Sequence, residues 1–129
     1  MRAADAWAIE ERGVPEADLM ERAGLGLARV TASVAAEGPV RVVVGKGHNG
    51  GDGLVAARLL HEDGYQVDVL DGTEAFEHER LAGSGVVVDA LLGTGFEGSP
   101  REPVASAILA INQQGAPVVA CDVPSGVNA

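Results

Sequence analysis

The stretch VRVVVGKGHNGGDGLVAARLL, residues 40–60, passes from a β-branched run through a glycine-rich segment into a helical pattern. Short β-branched runs that end at a glycine are typical of strands. Further along, Leu54, Ala57 and His61 are separated by three and four residues, which is the spacing of one helix face. The stretch therefore predicts a strand at 40–44, a glycine-rich loop at 45–53 and a helix at 54–60.

The same alternation of strand and helix continues on both sides of this unit. Three more strands are predicted at 66–70, 86–89 and 117–122. Helices are predicted at 3–12, 16–36 and 101–113, and the acidic segment 71–79 is expected to form a loop and a short helix on the solvent side. This order indicates an α/β fold, which we expect to be a Rossmann-like three-layer α/β/α sandwich with a mainly parallel sheet and two N-terminal helices.

The composition fits one small domain and excludes several classes of partner. The chain has 129 residues and a net charge of −10, which argues against binding to nucleic acid or to an anionic membrane surface. Its one cysteine, Cys121, cannot form an internal disulfide, and no apolar run approaches the roughly 20 residues of a membrane span. We therefore expect a soluble cytoplasmic protein without a targeting segment.

Three segments with unusual residues each follow a predicted strand. They are residues 45–53, 89–95 and 122–126. Because the strands are predicted to be parallel, all three segments lie at the carboxyl edge of the sheet, where open α/β folds bind their ligands. The sequence thus predicts one site that is built from three segments.

The first segment contains a GxGxxG pattern at Gly45, Gly47 and Gly50. Between a strand and a helix, with Asp68 or Asp71 about 20 residues further on, this pattern is typical of dinucleotide sites. A tight strand-to-helix turn without any ligand has the same pattern. The GxGxxG alone therefore leaves both interpretations open.

A second pair of glycines surrounds Asp52. Gly51 and Gly53 lower the helix propensity of this segment, and we interpret them as positions that expose backbone amides to a ligand. Asp52 itself fits either a helix N-cap or a ligand-binding role.

Two carboxylates, Asp89 and Asp122, end apolar strands. A carboxylate in that position is costly unless it faces a polar site or a cation. Together with Asn49 and Ser125, Asp89 offers an amide, a carboxylate and a hydroxyl, which are the oxygen ligands of hard cations. The set predicts a site for an alkali or alkaline-earth ion.

Several other motifs are absent or are better explained by structure. No Lys-Ser/Thr pair follows the glycines as in a Walker A loop, there is no HExxH, and Ser125 lacks the preceding glycine that GxSxG requires. We expect His61 and His78 to be surface residues. Cys121 is expected to be a buried, inert thiol that points to the opposite face from Asp122.

Four linked motifs resemble those of one family. LMERAG at 19–24, GKGHNGGDGLVAARLL at 45–60, VVDALLGTG at 87–95 and DVPSG at 122–126 occur in the order and spacing of the YjeF N-terminal domain family. The resemblance implies an isomerase of nicotinamide cofactor repair, an NAD(P)H-hydrate epimerase that interconverts the R and S forms of NADHX and NADPHX, which are hydrated at C6. It also implies a homodimer and a dehydratase, fused or separate, that consumes the S form.

The resemblance also implies roles for individual residues. The first substrate-binding segment would contain His48, Asn49, Gly50, Gly51 and Asp52. The second would contain Gly93, Thr94, Gly95, Phe96, Glu97, Gly98 and Ser99, and Asp122 would be a further substrate contact. The potassium ligands, one K⁺ per subunit, would be Asn49, Asp89 and Ser125. The reaction needs an acid/base group at the departing and returning oxygen, and Asp122 is the candidate.

The chain departs from the family pattern in two respects. His48 stands where the family has the first Asn of NNGGD. The family domain also continues beyond DVPSG, so we expect 1–129 to be a YjeF N-terminal domain that is incomplete at its C-terminus.

Two other functions stay compatible with the sequence. One is a non-catalytic ligand-binding or scaffold module on the same fold, and the other is an NAD-dependent oxidoreductase with Asp71 on a ribose. The retained Asn49, Asp89 and Asp122 favour the epimerase over the module. An oxidoreductase would need neither the second nor the third segment.

Overall fold

The computed structural model describes residues 16–91 and 102–121. Helices and strands alternate through these ranges. The helices are α1 (Glu16–Val34), α2 (Gly47–Glu62) and α3 (Val104–Gln113), and the strands are β1 (Val40–Val44), β2 (Val67–Asp71), β3 (Val86–Ala90) and β4 (Val118–Ala120). A 3-10 helix, His78–Leu81, lies between β2 and β3. The predicted helix at 3–12 lies outside the described residues.

The four strands form one sheet in the order β2-β1-β3-β4, and every neighbouring pair is parallel. Val44 at the end of β1 is level with Asp71 of β2 on one side and with Ala90 of β3 on the other. The carboxyl ends of these three strands therefore reach the same edge of the sheet, as the sequence predicted.

Apolar side chains are buried on both faces of the sheet. On one face, Leu27 of α1 and Leu60 of α2 pack with Val42 and Val88. On the other face, Ile111 of α3 packs with Val43, Val87, Phe76 and Leu81. Strands buried on both faces need continuous apolar runs, which explains why β1 and β3 are so rich in valine. The predicted three-layer α/β/α sandwich is confirmed.

Helix α2 corrects the prediction most strongly, because it begins at Gly47 and not at Leu54. The predicted loop is therefore wrong from residue 47 onward. Glycine is less favourable than alanine in a helix by about 1 kcal/mol per residue, and for this reason the sequence predicts a loop here. The gain from close packing, described below, outweighs that cost. The other boundaries shift less: β2 begins one residue later than predicted, and α3 begins at Val104.

The acidic connection between β2 and β3 is attached to the sheet by Arg41. Arg41 Nε donates to Asp68 Oδ2 at 2.8 Å, and its Nη1 donates to the carbonyl oxygens of Arg80 and Ala82 at 2.6 and 3.1 Å. Phe76 and Leu81 of the same connection are buried. The segment is thus only partly the solvated face that the sequence predicted.

In the two described ranges, the structure has no helix that is long and apolar enough to span a membrane.

Candidate functional site

The connections of the sheet reverse direction between β1 and β3. From β1 the chain crosses through α2, which packs on one face, to β2, whereas from β3 it crosses through α3, on the other face, to β4. At such a switch point the two loops diverge and leave a crevice at the carboxyl edge, which is where open α/β folds bind ligands. Gly45 N donates to the carbonyl oxygen of Ala90 at 2.9 Å and so holds the two strand ends together at this point.

The N-terminus of α2 lies at this crevice. The N-cap residue is Lys46, which has extended backbone geometry and makes no capping hydrogen bond with its side chain. Asp52 lies in the second turn of the helix, so its predicted alternative role as an N-cap is wrong. The first amides of a helix have no partner within the helix and form the positive end of its dipole. The first turn of α2, residues 47–50, is therefore suited to an anionic group.

The glycines of this segment are required by packing. A Cβ added to Gly50 would lie 2.2 Å from the carbonyl oxygen of Gly45, and one added to Gly53 would lie 2.7 Å from Ala90 Cβ. Both distances are far below any van der Waals contact. Gly50 and Gly53 let α2 lie against the ends of β1 and β3, so their role is close approach of the helix, in addition to any exposure of amides that the sequence suggested.

Asp89 is half-buried near the end of β3. Its Oδ1 accepts a hydrogen bond from Leu91 N at 3.2 Å, and its carbonyl oxygen accepts one from Cys121 N at 2.8 Å. Asp89 thus places a carboxylate near the carboxyl end of β3. No three His, Cys, Asp or Glu side chains within 16–91 and 102–121 form a metal-binding group.

The structure brings two of the three predicted segments together. Residues 48–52 lie in the first turns of α2, and Asp89 is the next-to-last residue of the neighbouring β3. The segment Gly93–Ser99, together with Asp122 and Ser125, lies outside the described residues. Cys121, which immediately precedes Asp122, is buried as predicted.

A cavity of about 380 Å³ opens between α1, α2 and β4. Arg22, Leu27 and Val30 line it from α1, Asp52 lines it from α2, and Cys121 closes it beside β4. Among the predicted site residues, Asp52 thus lies in a cavity. Arg22 is part of the LMERAG motif at 19–24, but its place in this cavity could not be predicted, because nothing in the sequence alone places α1 beside β4.

A second cavity, of about 540 Å³, lies between the 3-10 helix and the turn before β4, at the amino edge of the sheet. It is larger, but it lies opposite the edge where parallel sheets bind ligands. His78 lines it and is exposed, and His61 is exposed as well, as predicted for both.

The two aspartates of the dinucleotide pattern have structural partners. Asp68 is bonded to Arg41. Asp71 Oδ1 accepts hydrogen bonds from the backbone N and the hydroxyl of Thr73, at 2.8 and 2.5 Å. These bonds, the hydroxyl contributing most, hold the pKa of Asp71 below its ordinary value.

Comparison with known proteins gives a consistent result. The family profile described as YjeF-related protein N-terminus matches residues 16–82 and 70–129. An NAD(P)H-hydrate epimerase of Limosilactobacillus fermentum is 36% identical over 151 aligned positions, which cover 99% of this chain and 73% of that protein. A bifunctional NAD(P)H-hydrate repair enzyme of Methanopyrus kandleri is 40% identical over 148 positions.

This second match covers 90% of the chain but only 30% of the bifunctional protein. Among solved structures, the yeast protein YNL200c superimposes with a TM-score of 0.75 at 28% identity, over 95% of this chain and 67% of the yeast chain.

Proposed function

Because the chain belongs to the family of YjeF-related protein N-termini, we propose that it is an NAD(P)H-hydrate epimerase, an isomerase that interconverts the R and S forms of NADHX and NADPHX. The observation that carries the proposal is that the start of α2 and the end of β3, which contains Asp89, both lie at the carboxyl edge beside the switch point of the sheet. The names of the relatives do not favour the scaffold module or the oxidoreductase. The hydrogen bonds that Asp71 accepts from Thr73 also give that aspartate a role other than ribose binding.

Binding of the anionic dinucleotide is assigned to the first turn of α2. The protein carries a net charge of −10, so attraction must come from local groups. The backbone amides of residues 47–50 and the exposed Lys46 supply partial and full positive charge at the same place. We assign the diphosphate to this turn.

The proposed chemistry takes place at C6 of the hydrated nicotinamide ring, next to the ring nitrogen. Asp122 gives a proton to the C6 hydroxyl, the C–O bond breaks, and the nitrogen lone pair forms a C=N bond as water leaves. Water then adds to C6 on the opposite face, the C=N electrons return to nitrogen, and the proton returns to Asp122. Atoms and charge balance over the cycle, so no redox cofactor is needed.

A potassium ion is assigned to Asn49, Asp89 and Ser125. Its contribution would be electrostatic, since a cation at this edge offsets the carboxylates beside an anionic substrate. The support is the oxygen chemistry of the three side chains and the position of Asp89 near the carboxyl end of β3, level with Val43 of β1.

The product of the reaction is the substrate of a dehydration step. We propose that a dehydratase, separate or fused to this domain, converts the S form to NAD(P)H in the cytoplasm, and that the epimerase is a homodimer. The names of the bifunctional repair enzymes among the relatives support the link between the two activities.

The test is a coupled assay. The protein is mixed with purified R-NADHX and an S-specific dehydratase, and the recovery of NADH absorbance is followed. We expect recovery to be faster than spontaneous epimerisation allows. Recovery at the spontaneous rate would contradict the proposed function. An Asp122→Asn variant should bind substrate and lose most of the acceleration.

A further inference from the structure

We propose that Arg22 binds a phosphate group of the dinucleotide substrate at the mouth of the cavity between α1 and β4. The inference rests on the proposed function and adds to it a binding residue outside the three segments. It also assigns a ligand to the cavity, which has no role in the proposed chemistry at Asp122.

The fold places Arg22 at the carboxyl edge. The C-terminal end of α1 leads into the start of β1 at the amino edge, so the N-terminal half of α1 lies toward the opposite edge. A Cβ added to Gly51 would lie 2.7 Å from Met20 Sδ, which shows that this half of α1 touches the first turns of α2. Arg22 therefore lies on the same side of the molecule as Asp52 and Cys121, with which it lines the cavity.

The charge of Arg22 is not used elsewhere in the described part of the chain. Arg41 is bonded to Asp68 and Arg58 to Glu21, whereas Arg22 has no hydrogen bond or ion pair within residues 16–91 and 102–121. An arginine that lines a cavity without an internal partner is available to a ligand, and its planar fork matches phosphate geometry.

The mixed lining of the cavity selects a nucleotide over a simple anion. Arg22 supplies a cation, Asp52 supplies an acceptor for sugar hydroxyls, and Ala23, Leu27 and Val119 supply apolar walls. A nucleotide carries all three complementary groups, namely phosphate, hydroxyls and a flat ring. The volume of about 380 Å³ lies in the usual range of small-ligand pockets, about 300–1,000 Å³.

The phosphate could be the diphosphate bridge or the 2′-phosphate of the NADP series. Titration of the protein with ADP-ribose and with 2′-phospho-ADP-ribose separates the two. We expect Arg22→Ala to weaken binding at least about 10-fold, the loss typical of one charge-assisted contact. An equal loss of affinity for both probes would show that Arg22 binds the diphosphate. A loss of affinity for 2′-phospho-ADP-ribose alone would show that Arg22 binds the 2′-phosphate.

Arg29→Ala is the matched control, because Arg29 lies exposed on the same helix and does not line the cavity. Arg22→Lys should recover part of the affinity. In the coupled assay, Arg22→Ala should raise KM and leave kcat nearly unchanged.

Two results would overturn the inference. If Arg22→Ala binds both probes as tightly as the wild type while the wild type epimerises its substrate, Arg22 is not a phosphate ligand and the proposed function stands. If the wild type binds neither probe, the cavity is not a nucleotide site, and the coupled assay then decides separately on the proposed function.

Discussion

Gly24 of α1 lies directly against Val55 of α2. A Cβ added to Gly24 would be 2.2 Å from Val55 Cγ1 and 2.5 Å from Val55 Cβ, so rotation of the valine side chain could not relieve the clash. The two helices can cross at this distance only because residue 24 is glycine. The crossing holds the N-terminal half of α1, which contains Arg22, against α2.

Gly24→Ala should destabilise the protein by about 1–3 kcal/mol, the usual cost of overpacking. Gly26→Ala, two residues further on the same helix, should instead stabilise it by about 0.5–1 kcal/mol, because no atom lies within 4 Å of its added Cβ and alanine favours helix. Urea unfolding of both variants measures the difference. Equal effects would contradict the close crossing of α1 and α2.

Gly50→Ala should reduce both stability and epimerase activity. The added Cβ meets the backbone oxygen of Gly45, which cannot rotate away, so the start of α2 must move from the end of β1. We expect a loss of about 3 kcal/mol in unfolding free energy. The coupled assay is run at a temperature at which the variant is folded, so that a loss of activity is not caused by unfolding.

Gly115→Ala serves as the control for Gly50→Ala, since its added Cβ meets no atom within 4 Å. A Gly50→Ala protein with wild-type stability would show that α2 does not need glycine at this contact.

Arg41→Met should destabilise the protein by about 1–3 kcal/mol, because it leaves Asp68 and two carbonyl oxygens without their donor. The side chain of Arg41 is only 16% exposed, so its interactions are screened less by solvent than those of an exposed arginine. Arg58→Met is the comparison: its side chain is 48% exposed and its ion pair with Glu21 is screened by solvent. Thermal unfolding should show a clearly smaller shift for Arg58→Met.

The carboxyl of Asp71 should titrate below its ordinary pKa of 3.8 in the folded protein. A folded-state pKa below the unfolded one stabilises the protein at pH above the ordinary value, and this contribution is lost as pH falls through the folded-state pKa. Thr73→Val removes the hydroxyl that contributes most to the shift, so the pKa should rise toward 3.8. NMR titration of the carboxyl measures it, and an unchanged pKa in Thr73→Val would count against the hydroxyl bond.

Asp89→Asn should remove stabilisation by potassium. If Asp89 is a ligand, added K⁺ raises the melting temperature of the wild type with concentration, because an ion that binds only the folded state stabilises it. The variant should show a much weaker response. Sodium at equal ionic strength controls for general salt effects, and an equal rise with both ions would argue against a potassium site.

The sequence predicted all four strands of the sheet, although β4 is shorter than the predicted 117–122, but it did not predict where α2 begins. The β-branched runs at 40–44 and 86–89 predicted β1 and β3 because burial on both faces demands such runs. The predicted start of α2 was wrong because helix propensity depends only on the local sequence, whereas Gly50 and Gly53 make their contacts at the ends of β1 and β3. Similarly, no local pattern pairs Arg41 with Asp68 across 27 residues, or places Arg22 beside β4.

The connection between β2 and β3 is the part of the chain that both matched segments of the family profile include. The two matched segments overlap at residues 70–82, and the alignments with relatives run over more positions than the chain has residues. This connection leaves the outermost strand β2 at the carboxyl edge, where Gly72 N donates to the carbonyl oxygen of Val44 at 2.8 Å. Arg41 holds the last part of the connection by its hydrogen bonds to the carbonyl oxygens of Arg80 and Ala82, so both ends of the connection are anchored and a change in its length has to occur between Gly72 and the 3-10 helix.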